Sequence, residues 1–567
     1  MIRSALSLLL LALLSASTAV GQSKTATPPN KSITPTTSPG NSNTSARPKL
    51  VVGIVIDQMR YDYLYRYYEK YSSLTTGGGF RRLIEQGYNC RNNHYHYAAT
   101  YTGPGHAAIY TGSAPAFNGI VGNEFYDRKL GRIMYCAEDT TVQTVGNTGS
   151  AGQMSPRNML VTTIGDQLKL ATDNRAKVIG IALKDRGSIL PAGHAADGAY
   201  WFDSKDGNWI TSTFYRKELP NWVQAYNSRR LPDQFMKQKW TPLLPLDQYV
   251  ESTPDDQPYE ASLPGDTKSV FPHEFVAVAG QSRYEVLRAT PYGDQLTKEF
   301  ALAALDGEQL GKDNITDLLA VSFSTPDYVG HAFGTHAVET EDEYLRLDLQ
   351  LQDFFNQLDA KVGKGEWLAF LSADHGAADI PAFSRSYRIP ADIKSAGEVG
   401  ESVKAALAKA YGPGQWMLTY FNQQVYLNTA LLAEKKIPIQ EVHALIRVTL
   451  LAQRGVINVI NLHDLGNTPL PENQLTMLRN VYHPNRSGDI YVMLQASWFE
   501  GRNRGTTHGT VYPYDTHVPF LIYGWGVQHG QTFHRTQIAD IAPTVCALLG
   551  ILEPNGCIGN PVEDALK

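Results

Sequence analysis

The sequence predicts an α/β protein with a mostly parallel central sheet, helices on both faces and cap-like insertions. Three observations carry this: short apolar, β-branched runs recur along the chain, helical periodicity fills intervals between them, and four of the runs end beside a polar candidate residue. Parallel strands are buried on both faces, so they read as continuous apolar runs rather than alternating ones. In such sheets ligands bind beyond the carboxyl ends of the strands.

In chain order, residues 1–21 have the form of a signal peptide, with Arg3, an apolar stretch from Leu6 to Leu14, and the small-residue site Ala19-Val20-Gly21. That stretch is short of the roughly 20 residues a bilayer requires. The mature chain is therefore expected to be exported, to the periplasm or the medium, with no membrane span. Residues 22–48 are rich in Ser, Thr and Pro with almost no apolar side chains, which predicts a disordered tether. The folded domain, 49–567, opens with LVVGIVID, ending at Asp57. KVIGIALK reaches Lys184, DLLAVSFST leads to Asp327, EWLAFLSAD ends at Asp374, and VPFLIYG closes the series. Between Glu341 and Lys361, Tyr344, Leu347, Leu351, Phe354, Phe355 and Leu358 recur at helical spacing and read as core. Residues 187–288, rich in Trp, Tyr, Pro and Asp, read as an insertion over the site. Residues 380–485, with a helical stretch at Ile439 to Arg454, read as a cap.

A net charge of −5 gives no sign of binding to nucleic acid or an anionic membrane. Cys90, Cys136, Cys546 and Cys557 lack CxxC spacing, which argues against a thiolate zinc site. In an exported protein they suit two disulfides, and closeness in sequence favours Cys90 with Cys136 and Cys546 with Cys557, buried free thiols being the alternative.

Four separated clusters carry the chemistry: Asp57, Asp327 with His331, Asp374 beside His375, and His508 in THGT. Together they hold enough carboxylate and imidazole ligands for two metal ions. A lone Asp at a strand end is usually a cap or turn former. Adjacent Asp374 and His375 at the end of a buried strand are a stronger signal, because burial without a metal or partner is costly. Thr102, in TYTGPGHAAIYTG, precedes a turn and helix start. It suits either a helix cap or a hydroxyl presented to an electrophile, the second requiring a neighbouring cation to lower its pKa. His106 reads as a structural helix residue, and Lys184, Arg186 and Asn123, taken singly, as surface charges and a turn residue.

These motifs, with LKDRGSILPAG, STPDYVGHAFG, GIVGNEFYD and the closing QIADIAPTVCALLGI, resemble in their order the alkaline phosphatase superfamily, in its phosphodiesterase and nucleotide-pyrophosphatase-like branch, nearest to phosphate-irrepressible alkaline phosphatases. The resemblance implies two Zn2+ per chain. One would be held by Asp327, His331 and His508, the other by Asp57, Asp374 and His375 with Thr102. It implies Thr102 as the nucleophile that forms a phosphothreonine, and Asn123, Lys184 and Arg186 as the groups that hold the phosphoryl oxygens of a monoester. The same metals and nucleophile serve a phosphodiesterase or nucleotide pyrophosphatase, which is the alternative. A sulfatase would need Cys or Ser in a CxPxR-like segment, and phosphoethanolamine transferases have membrane helices that this chain lacks. An exported metal-containing binding protein is the remaining reading, disfavoured because structural zinc sites are usually closed by four ligands.

Overall fold

The apolar runs become the middle of a ten-stranded sheet in the computed structural model, which describes residues 47–266, 268–276, 278–501 and 504–566. The signal-peptide segment and nearly all of the tether lie outside the described residues. In chain order the strands are β1 (Leu50–Ile56), β2 (Tyr88–His94), β3 (Thr144–Val145), β4 (Val178–Ala182), β5 (Gly198–Asp203), β6 (Asn208–Ser212), β7 (Asp317–Phe323), β8 (Trp367–Ser372), β9 (Phe520–Gly524) and β10 (Gly530–Gln537). Across the sheet they run β10-β2-β9-β8-β1-β7-β4-β5-β6-β3. From β8 through β5 every pairing is parallel. β1 is central, pairing Leu50 with Asp317 on one side and with Trp367 on the other, and all seven of its residues are buried.

That burial is the main stabilising term, at about 1.5–3 kcal/mol for each fully buried Val, Leu or Ile side chain. It also sets the place of the chemistry. Because β1, β4, β7 and β8 run the same way, Asp57, Lys184, Asp327 and Asp374 all emerge at one edge of the sheet.

Helix α1 (Thr102–Thr111) lies against this edge with every residue buried. Two glycines set how closely it approaches. A Cβ on Gly53 of β1 would stand 2.2 Å from the Tyr110 hydroxyl, and one on Gly105 would stand 2.2 Å from the Asp374 carbonyl oxygen. Only a bare backbone lets α1 rest directly on the peptide that carries Asp374. Further along come α2 (Asp185–Ala192), α3 (Pro291–Gly307), α4 (Thr325–Phe333) and α5 (Val338–Leu358), the last filling the periodic stretch at Glu341 to Lys361 before a π-helical turn at Asp359–Gly363.

The structure differs from the sequence expectations in four places. VPFLIYG is buried as expected of a central strand, yet β9 runs antiparallel to β8. The segment 187–288 begins inside the sheet, since β5 and β6 extend it beyond β4. The cap at 380–485 is built on a four-stranded antiparallel sheet whose third strand, Ile490–Leu494, lies past that boundary; helices Ala396–Tyr411 and Ile439–Leu451 share a separate core with it. Finally, all four cysteines are free thiols, so neither disulfide is present. Cys90 sits near Thr536 and Asp540, whereas Cys136 sits near Arg186 and Asp185, and strands of adjacent sequence have carried the two to different surroundings.

Segment 187–288 also buries Glu260, whose Oε2 has no hydrogen-bond partner. Burial, then the Glu339 carboxylate, pushes Glu260 up to about 9. A carboxyl raised in the folded state is stabilising below its unfolded pKa, near 4.5, and loses that contribution as pH rises towards 9. Glu260→Gln is therefore expected to blunt the fall in stability between pH 6 and pH 10, read as urea midpoints at the two pH values. An equal fall in both proteins would contradict it. Among the described residues no helix is long and apolar enough to cross a membrane.

Candidate active site

Asp57 follows β1 directly, its backbone N–H held by the Phe323 carbonyl at 3.0 Å. The next residue, Gln58, adopts φ 66°, a left-handed conformation that costs a non-glycine side chain energy and tends to mark functional sites. In that conformation its backbone N–H donates to Asp374 Oδ1 at 3.0 Å and its Nε2 donates to Asp327 Oδ1 at 2.6 Å. One residue thereby spaces two of the carboxylates, a role invisible in the string IDQM.

Asp327 and His331 lie one turn apart on α4, with His331 Nε2 3.2 Å and His508 Nε2 3.7 Å from Asp327 Oδ1. On the other side His375 Nε2 is 3.6 Å from Asp57 Oδ1 and 3.5 Å from Asp374 Oδ2. Two groups have ligand atoms close enough to share an ion: Asp327 with His331 and His508, and Asp57 with Asp327 and His375. Asp327 thus stands between both groups, where the sequence grouping assigned it to one. Asp374 Oδ2 lies 3.5 Å from His375 Nε2 beside the second group, its Oδ1 being taken by Gln58.

Each imidazole is aimed by a backbone carbonyl. Nδ1 of His331 donates to Thr506 O at 2.8 Å, that of His375 to Gly376 O at 2.9 Å, and that of His508 to Thr100 O at 2.7 Å. A carbonyl only accepts, so Nδ1 carries a proton in each ring. In His375 and His508 Nε2 then presents a lone pair, the arrangement that fixes a metal-ligating histidine, whereas for His331 burial opposes the charge but Asp327 outweighs it and holds the ring above the usual histidine value. Burial pushes His375 down to about 3, and burial followed by the neighbouring His375 holds His508 well below the usual range, so both rings stay neutral. The two stack with centroids 3.4 Å apart.

The carboxylates fit a cation. Asp57 Oδ1, Asp374 Oδ2 and His375 Nε2 are buried with no hydrogen-bond partner, and such orphaned atoms are expensive unless a ligand completes them. Burial and the Asp57 charge push Asp374 far above the ordinary carboxyl range. Against the same burial, His331 and then Lys184 hold Asp327 well below it. The donor set, oxygen and imidazole nitrogen without sulfur, suits a divalent metal ion.

Thr102 is 1% exposed and sits in the first turn of α1, where Tyr101 is the N-cap residue and no side chain caps the helix. Thr102 Oγ1 is therefore not a cap; it accepts from Arg186 Nη2 at 3.4 Å. Arg186 is braced by the Tyr135 hydroxyl, which accepts from Nη1 at 3.1 Å and donates to Asp185. Sequence reading missed Tyr135, which comes from a separate hairpin. Asn123 Oδ1 accepts from Gly103 N at 2.7 Å, leaving its amide N–H groups as donors. Lys184 Nζ lies 2.6 Å from both Asp57 Oδ2 and Asp327 Oδ2, so the expected phosphoryl contact is joined to the ligand carboxylates themselves. His106 links Thr102 O at 2.9 Å to Ser322 Oγ at 2.8 Å and is pushed down to about 4, burial leading, which keeps it a neutral strut.

Carboxylates and aimed imidazoles gathered at the carboxyl edge of a parallel sheet, beside a helix-borne hydroxyl and an arginine, define a class: the alkaline phosphatase superfamily. The profile of the type I phosphodiesterase / nucleotide pyrophosphatase family matches residues 51–519. The chain belongs to that family. It is 45% identical over 524 residues to the alkaline phosphatase PhoV of Synechococcus elongatus, covering 92% of this chain and 94% of that one. A Myroides odoratus protein named as a calcium-transporting ATPase is likewise 45% identical, over 92% of this chain and 95% of its own length. The crystal structure of the alkaline phosphatase PafA superposes with a TM-score of 0.89 at 43% identity, covering 93% of this chain and all of that one.

Proposed function

We propose that this chain is an exported alkaline phosphatase that hydrolyses phosphate monoesters through Thr102, with two zinc ions as cofactors. The observation that carries the reading is the set of three buried ligand atoms without a hydrogen-bond partner, Asp57 Oδ1, Asp374 Oδ2 and His375 Nε2. His106, one turn along α1 from Thr102, links this set to the nucleophile's residue, its Nδ1 being 2.9 Å from Thr102 O and 3.4 Å from Asp374 Oδ2. Relatives bearing the name alkaline phosphatase at 43–45% identity support the same assignment.

Asp327, His331 and His508 would hold one ion and Asp57, Asp374 and His375, with Thr102, the other; paired ions acidify a hydroxyl and stabilise a leaving oxygen. The chain's own groups do the rest. Thr102 Oγ1, once deprotonated, attacks phosphorus in line with the departing alcohol, giving a phosphothreonine that water then hydrolyses. Arg186, beside that oxygen, and the Asn123 amide hydrogen-bond the non-bridging oxygens as charge gathers on them. The N-terminus of α1 adds the positive end of its dipole at the same point. His106 holds the Thr102 carbonyl, and so the direction of attack, without exchanging a proton.

A monoester dianion offers one more charged oxygen than a diester, so cationic donors favour the monoester. Arg186→Ala and Lys184→Ala are each expected to lower the ratio of kcat/KM for an aryl monoester over a methyl aryl diester by about tenfold or more. Diester turnover that dominates in the wild type and survives both substitutions would assign a phosphodiesterase instead. Zinc-loaded protein that turns over neither ester would assign a binding protein.

A further inference from the structure

The stretch that delivers His508 to the site begins at Arg504, and between them Gly505, Thr506 and Thr507 wall a cleft of about 700 Å³. His331 forms another wall. Its side chain is 38% exposed, while those of Asp327 and His508 behind it are nearly buried, so the cleft is open to the Asp327/His331/His508 group through this ring. The stretch is pinned in place: Gly505 N donates to Tyr259 O at 2.9 Å, and a Cβ on Gly505 would stand 1.9 Å from the His331 carbonyl oxygen.

The charge of the cleft is one-sided. Arg504 is exposed and, among the described residues, is the one Lys, Arg, Asp or Glu in the lining and makes no ion pair. The buried Phe499 and the half-buried Ala261 also lie in its lining. The acids adjacent in sequence do not neutralise the arginine. Neither is ion-paired with it: Glu500 accepts the Tyr420 hydroxyl, and Glu260, directly before Ala261, is buried at 1% exposure.

On the phosphatase reading, the Asp327/His331/His508 group faces the leaving oxygen. An in-line displacement requires the alcohol to depart on the side opposite the attacking Thr102 oxygen, so the body of the alcohol lies in the space walled by His331. We infer that this cleft is the leaving-group subsite and that Arg504 selects monoesters whose alcohol carries a second anionic group, a carboxylate or a further phosphate. The inference rests on the phosphatase reading. Its physical basis is a guanidinium with no ion pair among the described residues, facing an open cleft: the anion of the alcohol forms a charge-assisted pair with Arg504.

The test compares 4-carboxyphenyl phosphate with 4-carbamoylphenyl phosphate, nearly the same in shape and differing by one charge, on the zinc-loaded full chain. The readout is the ratio of their kcat/KM values in wild type, Arg504→Ala, Arg504→Lys and Arg504→Glu. Differences in intrinsic reactivity cancel when the ratio is compared between variants, and a loss of active protein scales both rates alike. The ratio is expected to fall about tenfold in Arg504→Ala, to fall further in Arg504→Glu, and to be largely kept in Arg504→Lys. Added salt is expected to narrow the gap between wild type and Arg504→Ala. A ratio constant within about twofold across the four proteins, with both esters hydrolysed, overturns the subsite and leaves the phosphatase reading standing. Failure of the wild type to hydrolyse either ester overturns both.

Discussion

Thr102→Ala is expected to lower kcat/KM for an aryl monoester by about four orders of magnitude or more, the scale on which a nucleophile acting as part of a concerted set is lost. The fold should scarcely register the change. Among the described residues Thr102 Oγ1 takes part in one hydrogen bond, the 3.4 Å one from Arg186, and caps no helix. A thermal midpoint near that of the wild type is therefore expected, and Thr102→Ser, which restores a hydroxyl, should recover much of the rate. Acid-quenched reaction with labelled monoester should trap a phosphorylated wild-type chain and leave the alanine variant unlabelled. Retained turnover with full zinc content would refute Thr102 as nucleophile.

The second large effect is expected at Asp327, because its carboxylate lies within reach of both groups of ligand atoms. Its Oδ1 accepts from Gln58 and faces His331 and His508, while its Oδ2 pairs with Lys184. Asp327→Ala should reduce bound zinc below two per chain and kcat/KM by about three orders of magnitude or more. It also removes one of the two carboxylates that neutralise a buried ammonium. Burial lowers the pKa of Lys184, but Asp327 and then Asp57 outweigh it and hold it above the usual lysine value. Breaking such a pair costs about 3–5 kcal/mol. The metal-free variant should accordingly unfold at lower urea than the metal-free wild type. Two zinc ions retained per chain, with activity within tenfold, would contradict the shared role.

What could be read from the sequence follows from which forces are local. β1, β4, β7 and β8 were legible because a strand buried on both faces must be continuously apolar, and their ends located Asp57, Lys184, Asp327 and Asp374. β2 and β10 were not, since YNCRNNH and GQTFHRTQ carry polar side chains that suit the margin of a sheet and give no apolar run. The direction of β9 was also hidden, as burial fixes composition but not polarity of the strand. At the site, ligand residue types and order were readable. The left-handed turn at Gln58 that spaces Asp327 and Asp374 was not, nor was the brace from Tyr135 to Arg186, because both depend on segments brought together only in three dimensions. The Cys90 and Cys136 pairing failed for the same reason, the two thiols standing among different neighbours, while Cys546 and Cys557 lie near each other yet remain free thiols.

The imidazole anchors join distant parts of the chain: His331 to Thr506 across 175 residues and His508 to Thr100 across 408. Chains are made from the amino end at about 5–20 residues per second, so the segment carrying Thr102 waits roughly 20–80 s for the carbonyl-anchored ring that completes its surroundings. Until then a growing chain holds the hydroxyl and most of the carboxylates but lacks the stretch that orients His331 and supplies His508. The order of synthesis therefore acts as a timer on the chemistry, and a chain interrupted near residue 500 would contain eight of the ten sheet strands and no finished site.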